Sequence, residues 1–273
     1  MDYLIALGVG LLAGLHTSTW GMYKDAPYEG FRWGKYFRST IISAITAVVV
    51  VHLTDLQPAH APHIVVLYAF TYVIERAMVE YWKTFLRVQD QSKFFIPMQF
   101  SVGGSVVQSS AVRLSAATGY LLGVVGVVYL VYYLQRIQFG APGLVAVLSV
   151  GSLGGWISAF GGAWKDAPKE GFQLFKFFRS PALTLFYAFL LANFTHNYLF
   201  ICFGALGLTI GTIETWKTFF FPSRPRGKFA GMKINFPEYL QKRQKFIPVF
   251  VAVWIFVIAT TILALMGPHD GLL

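Results

Sequence analysis

One stretch of this chain occurs twice, and it limits the architecture more than any other feature. Lys24 to Ser39 reads K-D-A-P-Y-E-G-F-R-W-G-K-Y-F-R-S, and Lys165 to Ser180 reads K-D-A-P-K-E-G-F-Q-L-F-K-F-F-R-S. Eleven of the sixteen positions are identical at a constant offset of 141. The register extends upstream, where Gly10, Gly14, Thr17 and Gly21 fall on Gly151, Gly155, Ser158 and Gly162. A second match follows each copy: E-Y-W-K-T-F from Glu80 and E-T-W-K-T-F from Glu214. The chain therefore reads as a tandem duplication, residues 1–138 and 139–273, of one unit with a charged loop.

What the unit is made of follows from its solvent. Hydrophobic residues make up 56% of the chain and charged residues 12%, about half the charge of an average soluble domain. Eight apolar stretches approach the roughly 20 residues a spanning helix needs: 3–22, 40–57, 62–82, 114–135, 143–163, 181–196, 198–216 and 246–266. This predicts an all-α polytopic membrane bundle of two four-span repeats. The N-terminus is apolar behind Asp2 and has no basic leader, so it reads as the first span and not as a cleaved signal peptide. Cys202 stands alone, which leaves no internal disulfide framework.

The basic residues fix the expected topology. The loops after spans one, three, five and seven carry twenty of the 22 lysines and arginines, Arg224 and Arg226 among them, whereas the opposite face carries only Arg136. This bias assigns the net charge of +10 to membrane orientation and not to nucleic acid, with all four basic loops in the cytoplasm (or the matrix, in an organelle) and both termini outside. An even number of spans per repeat gives the repeats the same orientation, related by a pseudo-twofold axis along the membrane normal. The G-x-x-x-G pairs Gly10/Gly14 and Gly151/Gly155 allow close helix approach, either of spans one and five near that axis or, as such pairs commonly do, of each span with any neighbour in the bundle.

Local signals predict an elbow in each repeated loop. Gly21 and Gly162 weaken the ends of spans one and five. Asp25 and Asp166 suit helix N-caps, with Pro27 and Pro168 in the first turn of a short interfacial helix. Phe31, Phe37, Phe172 and Phe178 would face the interface, and Ser39 and Ser180 would cap spans two and six. The other two basic loops differ: one holds Gly103-Gly104 in a polar stretch, the other is richer in basic residues and contains Pro222, Pro225 and Pro237.

Three groups of residues are candidates for function. The first is the doubled cluster Lys24, Asp25, Glu29, Lys35 and Arg38 with Lys165, Asp166, Glu170, Lys176 and Arg179. About a twofold axis these become two facing sets at the mouth of the bundle, able to take a phosphate or carboxylate on the cations and a proton or divalent metal on the acids. The same residue types also serve as caps and headgroup anchors. The second is Glu75, Arg76 and Glu80 in span three, costly groups at membrane depth that face a bundle interior or water-filled cavity. Their counterpart span keeps only Glu214, with Thr209 and Ile210 elsewhere; the plain alternative is Arg76 snorkelling and pairing with Glu80. The third is the outer-face set His52, His60, His63, His196 and His269 with Asp55 and Asp270, whose spacing matches no metal or haem motif. His16 reads as a hydrogen-bonded packing residue. No Walker loop, G-x-S-x-G elbow or H-E-x-x-H motif occurs, and no cofactor is indicated.

Three function classes fit these features. The leading one is a channel or secondary transporter for a small charged solute, with the doubled loops forming its cytoplasmic mouth. The others are a non-catalytic subunit or assembly factor of a larger membrane complex, and a membrane-embedded enzyme acting on a lipid phosphate. The expected partners are the bilayer, a small charged solute or anionic lipid headgroups, and other subunits of a homo- or hetero-oligomer.

Overall fold

A computed structural model describes residues 1–220, 227–268 and 270–273. Pro222, Arg224, Pro225, Arg226 and His269 lie outside the described residues. The fold is a helical bundle: α1 (Asp2–Glu29), α2 (Trp33–Leu53), α3 (Ala61–Tyr81), α4 (Ser110–Arg136), α5 (Gly143–Val150), α6 (Leu153–Glu170), α7 (Leu174–Ala192), α8 (Ala205–Phe219), α9 (Tyr239–Lys242) and α10 (Ile247–Met266). Single π-helical turns, Trp82–Leu86 and Phe200–Gly204, extend α3 and precede α8. A small hairpin of β1 (Ser101–Val102) and β2 (Ser105–Val106) turns through Gly103 and Gly104 at φ 57° and 78°, dihedrals that glycine adopts without strain.

Seven of the described helical segments are long and apolar enough to cross a membrane, counting α5 with α6 and α9 with α10. The stretch expected to span at 198–216 is the π-turn running directly into α8, fifteen residues long. The candidate at 143–163 divides, because Gly151 and Ser152 separate α5 from α6.

The elbows form differently from the sequence expectation. Neither Gly21 nor Gly162 ends a helix: α1 continues to Glu29 and α6 to Glu170. Asp25 and Asp166 therefore sit in last turns and are not N-caps, and no separate interfacial helix follows. The turns occur at Gly30 and Gly171, with φ 73° and 78°, and each Gly N–H bonds the carbonyl of Ala26 or Ala167 at 2.9 Å. Residues 33 and 174 then open α2 and α7, placing Ser39 and Ser180 inside helices instead of at caps. A proline inside a helix removes a bond to the carbonyl four residues earlier. For Pro27 that carbonyl is Tyr23 O, and Arg243 Nη1 donates to it at 3.0 Å. The carbonyl of Pro27 itself is capped as well, since the Asn235 and Phe236 N–H groups both donate to it at 3.0 Å. The longer basic loop thus replaces the missing helix partners, which a sequence reading confined to nearest neighbours does not capture.

The glycine pairs pack within each hairpin and not between α1 and α6. A Cβ on Gly14 would lie 2.3 Å from Thr40 Cα, and one on Gly155 2.6 Å from Pro181 Cα. A Cβ on Gly10 would meet Ala47 Cβ at 2.8 Å, and one on Gly151 would meet Ala188 Cβ at 2.6 Å. The partners Thr40/Pro181 and Ala47/Ala188 are themselves 141 residues apart, so each glycine pair holds the helix that follows it. Contact between the halves falls instead to α3 and α8, where a Cβ on Gly207 would strike Ala69 O at 2.1 Å. Around this contact one core draws residues from both halves, from Ala6 to Ala264.

The basic loops share one end of the bundle. The Phe95 N–H donates to Lys228 O at 2.8 Å, and Trp164 Nε1 donates to Ser101 O at 3.0 Å. At the other end Tyr3 meets His52, and His196 meets Asp270 at 3.0 Å.

Candidate functional site: a charged cavity between the halves

The second repeated hexapeptide places its glutamate one turn before a lysine. Glu80 and Lys83 pair at 3.1 Å in the first half, and Glu214 and Lys217 at 3.5 Å in the second. Each glutamate also receives the elbow lysine of the opposite half. Lys24 lies 3.2 Å from Glu214, and Lys165 lies 3.9 Å from Glu80. The two duplicated motifs are therefore joined crosswise, each elbow docking on the other half's α3 or α8. The elbows also make local pairs that repeat: Lys35 with Glu29, and Lys176 with Glu170 at 2.8 Å.

Between these pairs is a cavity of about 490 Å³ lined from both halves. Of the predicted site residues, Lys24, Asp25, Arg76, Glu80, Lys165, Asp166, Lys176, Arg179 and Glu214 line it. Lys83, Lys217 and Lys228 join them, so that among the described residues eight cationic side chains and the four carboxylates Asp25, Glu80, Asp166 and Glu214 line the cavity. Glu80 alone is shared by Arg76, Lys83 and Lys165. Glu29 and Glu170 hold Lys228 and Lys176 from just outside the lining. The cationic excess therefore centres on Glu80 and Glu214, each shared among two or three cations. Cations that share a carboxylate in a partly desolvated space favour an anion.

The remaining candidates lie around this cavity. Glu29 holds Lys35 and Lys228. Arg38 stacks over the Trp82 ring at 5.4 Å. Glu170 anchors Lys176. Glu75 is fully buried, 4.0 Å from Arg76, and neither of its oxygens has a hydrogen-bond partner among the described residues. Arg76 hydrogen-bonds Glu80 on the next turn and lies over the Trp20 ring at 5.1 Å. The helical-pair reading of Arg76 and its placement in the cavity therefore both hold.

Sequence reasoning missed three of the lining cations. Lys83 and Lys217 were legible, since both copies of the hexapeptide set Lys three residues after Glu. Lys228 had no such signal. It reaches back from the longer basic loop to Asp25 at 2.8 Å and Glu29 at 3.0 Å. In the second half Lys176 holds Asp166 and Glu170. Lys228 thus adds to the first elbow a cation from the longer basic loop.

Of the described histidines expected on the outer face, His60 and His63 pack ring to ring at 6.1 Å and the others bond elsewhere. His63 accepts from the Gln57 N–H at 2.9 Å, and His196 and His52 bond Asp270 and Tyr3. Among the described residues no three His, Cys, Asp or Glu side chains group to hold a metal ion. His16 is buried, with Nδ1 2.6 Å from the Tyr68 hydroxyl, as a packing histidine should be. No protein-family model, curated protein or solved structure matches this chain.

The crossed pairs are testable by a double-mutant cycle. Lys24→Met and Glu214→Gln, singly and together, should show a coupling of about 1–3 kcal/mol in thermal or denaturant unfolding of the detergent-solubilised protein. Additive losses would mean that the pair does not join the halves.

Proposed function

We propose that this chain is a multi-pass membrane transporter whose solute carries a phosphate-class anionic group. In this reading eight spans form two parallel four-span repeats, and the substrate site lies at the repeat interface, where sites of many repeat-built transporters lie. The observation that carries the proposal is the shared cavity, lined among the described residues by eight cations and four carboxylates. Away from the charged end the bundle is a packed core in which Ala69, Leu191, Ile201 and Ala205 are all 0% exposed. A packed core of this kind fits alternating access better than an open channel. The crossed pairs Lys24–Glu214 and Lys165–Glu80 are then the contacts that a rocking of one half against the other must break and remake. An incoming phosphate competes with the two glutamates for the same lysines and so couples binding to that motion.

Proteoliposome uptake of radiolabelled phosphate, together with thermal stabilisation by phosphate, tests this. Lys165→Gln should weaken both by about tenfold or more, the effect of losing one charge-assisted bond of roughly 1.5–3 kcal/mol. Lys93→Gln, on an exposed loop residue, should leave both unchanged. Equal effects of the two substitutions would reduce the lysines to headgroup anchors.

The twenty basic residues of the four loops support a cytoplasmic orientation for the cavity mouth. With Cys202→Ser as background, a cysteine at Val88 or Phe175, both strongly exposed, should react with an impermeant thiol reagent only after cell lysis. Labelling of intact cells would reverse the orientation.

A further inference from the structure

The cavity has a second, apolar region that the charged end does not explain. Counterparts in the two halves differ most just beneath the elbows. In the first half His16, Trp20, Tyr72 and Arg76 form a filled polar cluster. Trp20 Nε1 donates to the Tyr72 hydroxyl at 2.9 Å, and the Phe250 and Trp254 rings of α10 cover His16 at 4.9 and 5.2 Å. At the corresponding positions the second half has Ile157, Gly161, Leu206 and Ile210. All four line the cavity. Gly161 stands where Trp20 stands, and a Cβ there would meet nothing within 4 Å. Side chains that fill one half are thus replaced by an apolar hollow in the other.

This hollow runs away from the charges toward the middle of the bundle. Ile157 precedes Lys165 by eight residues on α6, and Leu206 precedes Glu214 by eight on α8, a rise of about 12 Å in each case. It also opens sideways. Ile157, Gly161 and Ala77 line the cavity yet are exposed. The helix that would close this side is α4, as α10 closes the other half. Its Tyr120 lines the cavity, but a Cβ added at Gly119, Gly123 or Gly126 would meet nothing within 4 Å outside α4's own backbone. A site with cations at interface level, an apolar wall one to two turns deeper and a side opening at that depth matches a molecule with the same three parts.

Building on the anion site above, we propose that the ligand is an amphiphilic phosphate monoester. Its headgroup sits among Lys24, Lys165 and Lys217, and its hydrocarbon chain lies along Ile157, Gly161, Leu206 and Ile210. The chain leaves for the bilayer through the gap between α4 and α6. A phosphate monoester carries close to two negative charges at neutral pH, which suits a site where Glu80 and Glu214 are each shared among two or three cations. The chain replaces lipid or water against the apolar wall, as the filled cluster does in the first half.

The test uses the full chain in neutral maltoside micelles, with thermal stabilisation titrated by inorganic phosphate and by butyl, octyl and dodecyl phosphate. The concentration giving half-maximal stabilisation should fall by about tenfold or more from butyl to dodecyl phosphate. In Gly161→Trp, which copies the first half and enters open space, this chain-length gain should vanish while the response to inorganic phosphate stays within about twofold. Ile157→Asn serves as a second variant should Gly161→Trp fail to fold, with the same expectation. Micelle partitioning of the longer esters is common to wild type and variants, so their difference isolates the cavity. Stabilisation by inorganic phosphate with no chain-length gain, or a gain that survives in the variants, overturns the amphiphile and leaves the anion site standing. Absence of stabilisation by any of the four phosphates removes both.

Discussion

Two lysines and two glutamates, joined crosswise, organise the charged end of this bundle. Lys24 and Lys165 come from the duplicated elbow, Glu214 and Glu80 from the duplicated hexapeptide, and each pair spans both halves. In a bilayer, helices gain no hydrophobic free energy by leaving lipid for one another. Close backbone packing and buried polar contacts must hold the halves together instead. The structure separates these tasks. Glycines bind each hairpin to itself, Gly207 against Ala69 brings α3 to α8, and the crossed pairs fix the registry of the elbows beside that contact.

The same arrangement produces the cavity. Elbows that dock on the opposite half carry their other charges with them, and the basic loops follow. Lys228 reaches Asp25 and Glu29, while Ser101 meets Trp164. Each loop braces the elbow of the other half. The space they enclose is rich in cations because each glutamate serves more than one lysine or arginine. Its asymmetry arises one turn below, where the first half is filled by Trp20 and His16 and the second is left open by Gly161 and Ile157.

Much of this was legible in the sequence, and the failures share a physical cause. The helical membrane class followed from composition, and the duplicated charges marked most of the charged residues that line the cavity. Helix ends were misjudged where a distant segment satisfies the backbone. Pro27 looked like a helix start because its lost bond is local, whereas the compensating Arg243 is over two hundred residues away. The G-x-x-x-G pairs identified close approach correctly, but such a pattern does not name the partner helix, which proved to be the next one in the chain. Lys228 was invisible for the same reason: its place depends on the path of a long loop. The inequality of the halves, in contrast, could be read directly at Arg76 and Ile210 by aligning the hexapeptides.

The most direct test of this account is to locate an anion. Crystals of the full chain grown with arsenate, measured at the arsenic absorption edge, should show an anomalous peak in the cavity. That peak should touch at least one lysine from each half, Lys24 and Lys165 foremost. Peaks confined to exposed loop lysines such as Lys93 and Lys233, with none in the cavity, would contradict it.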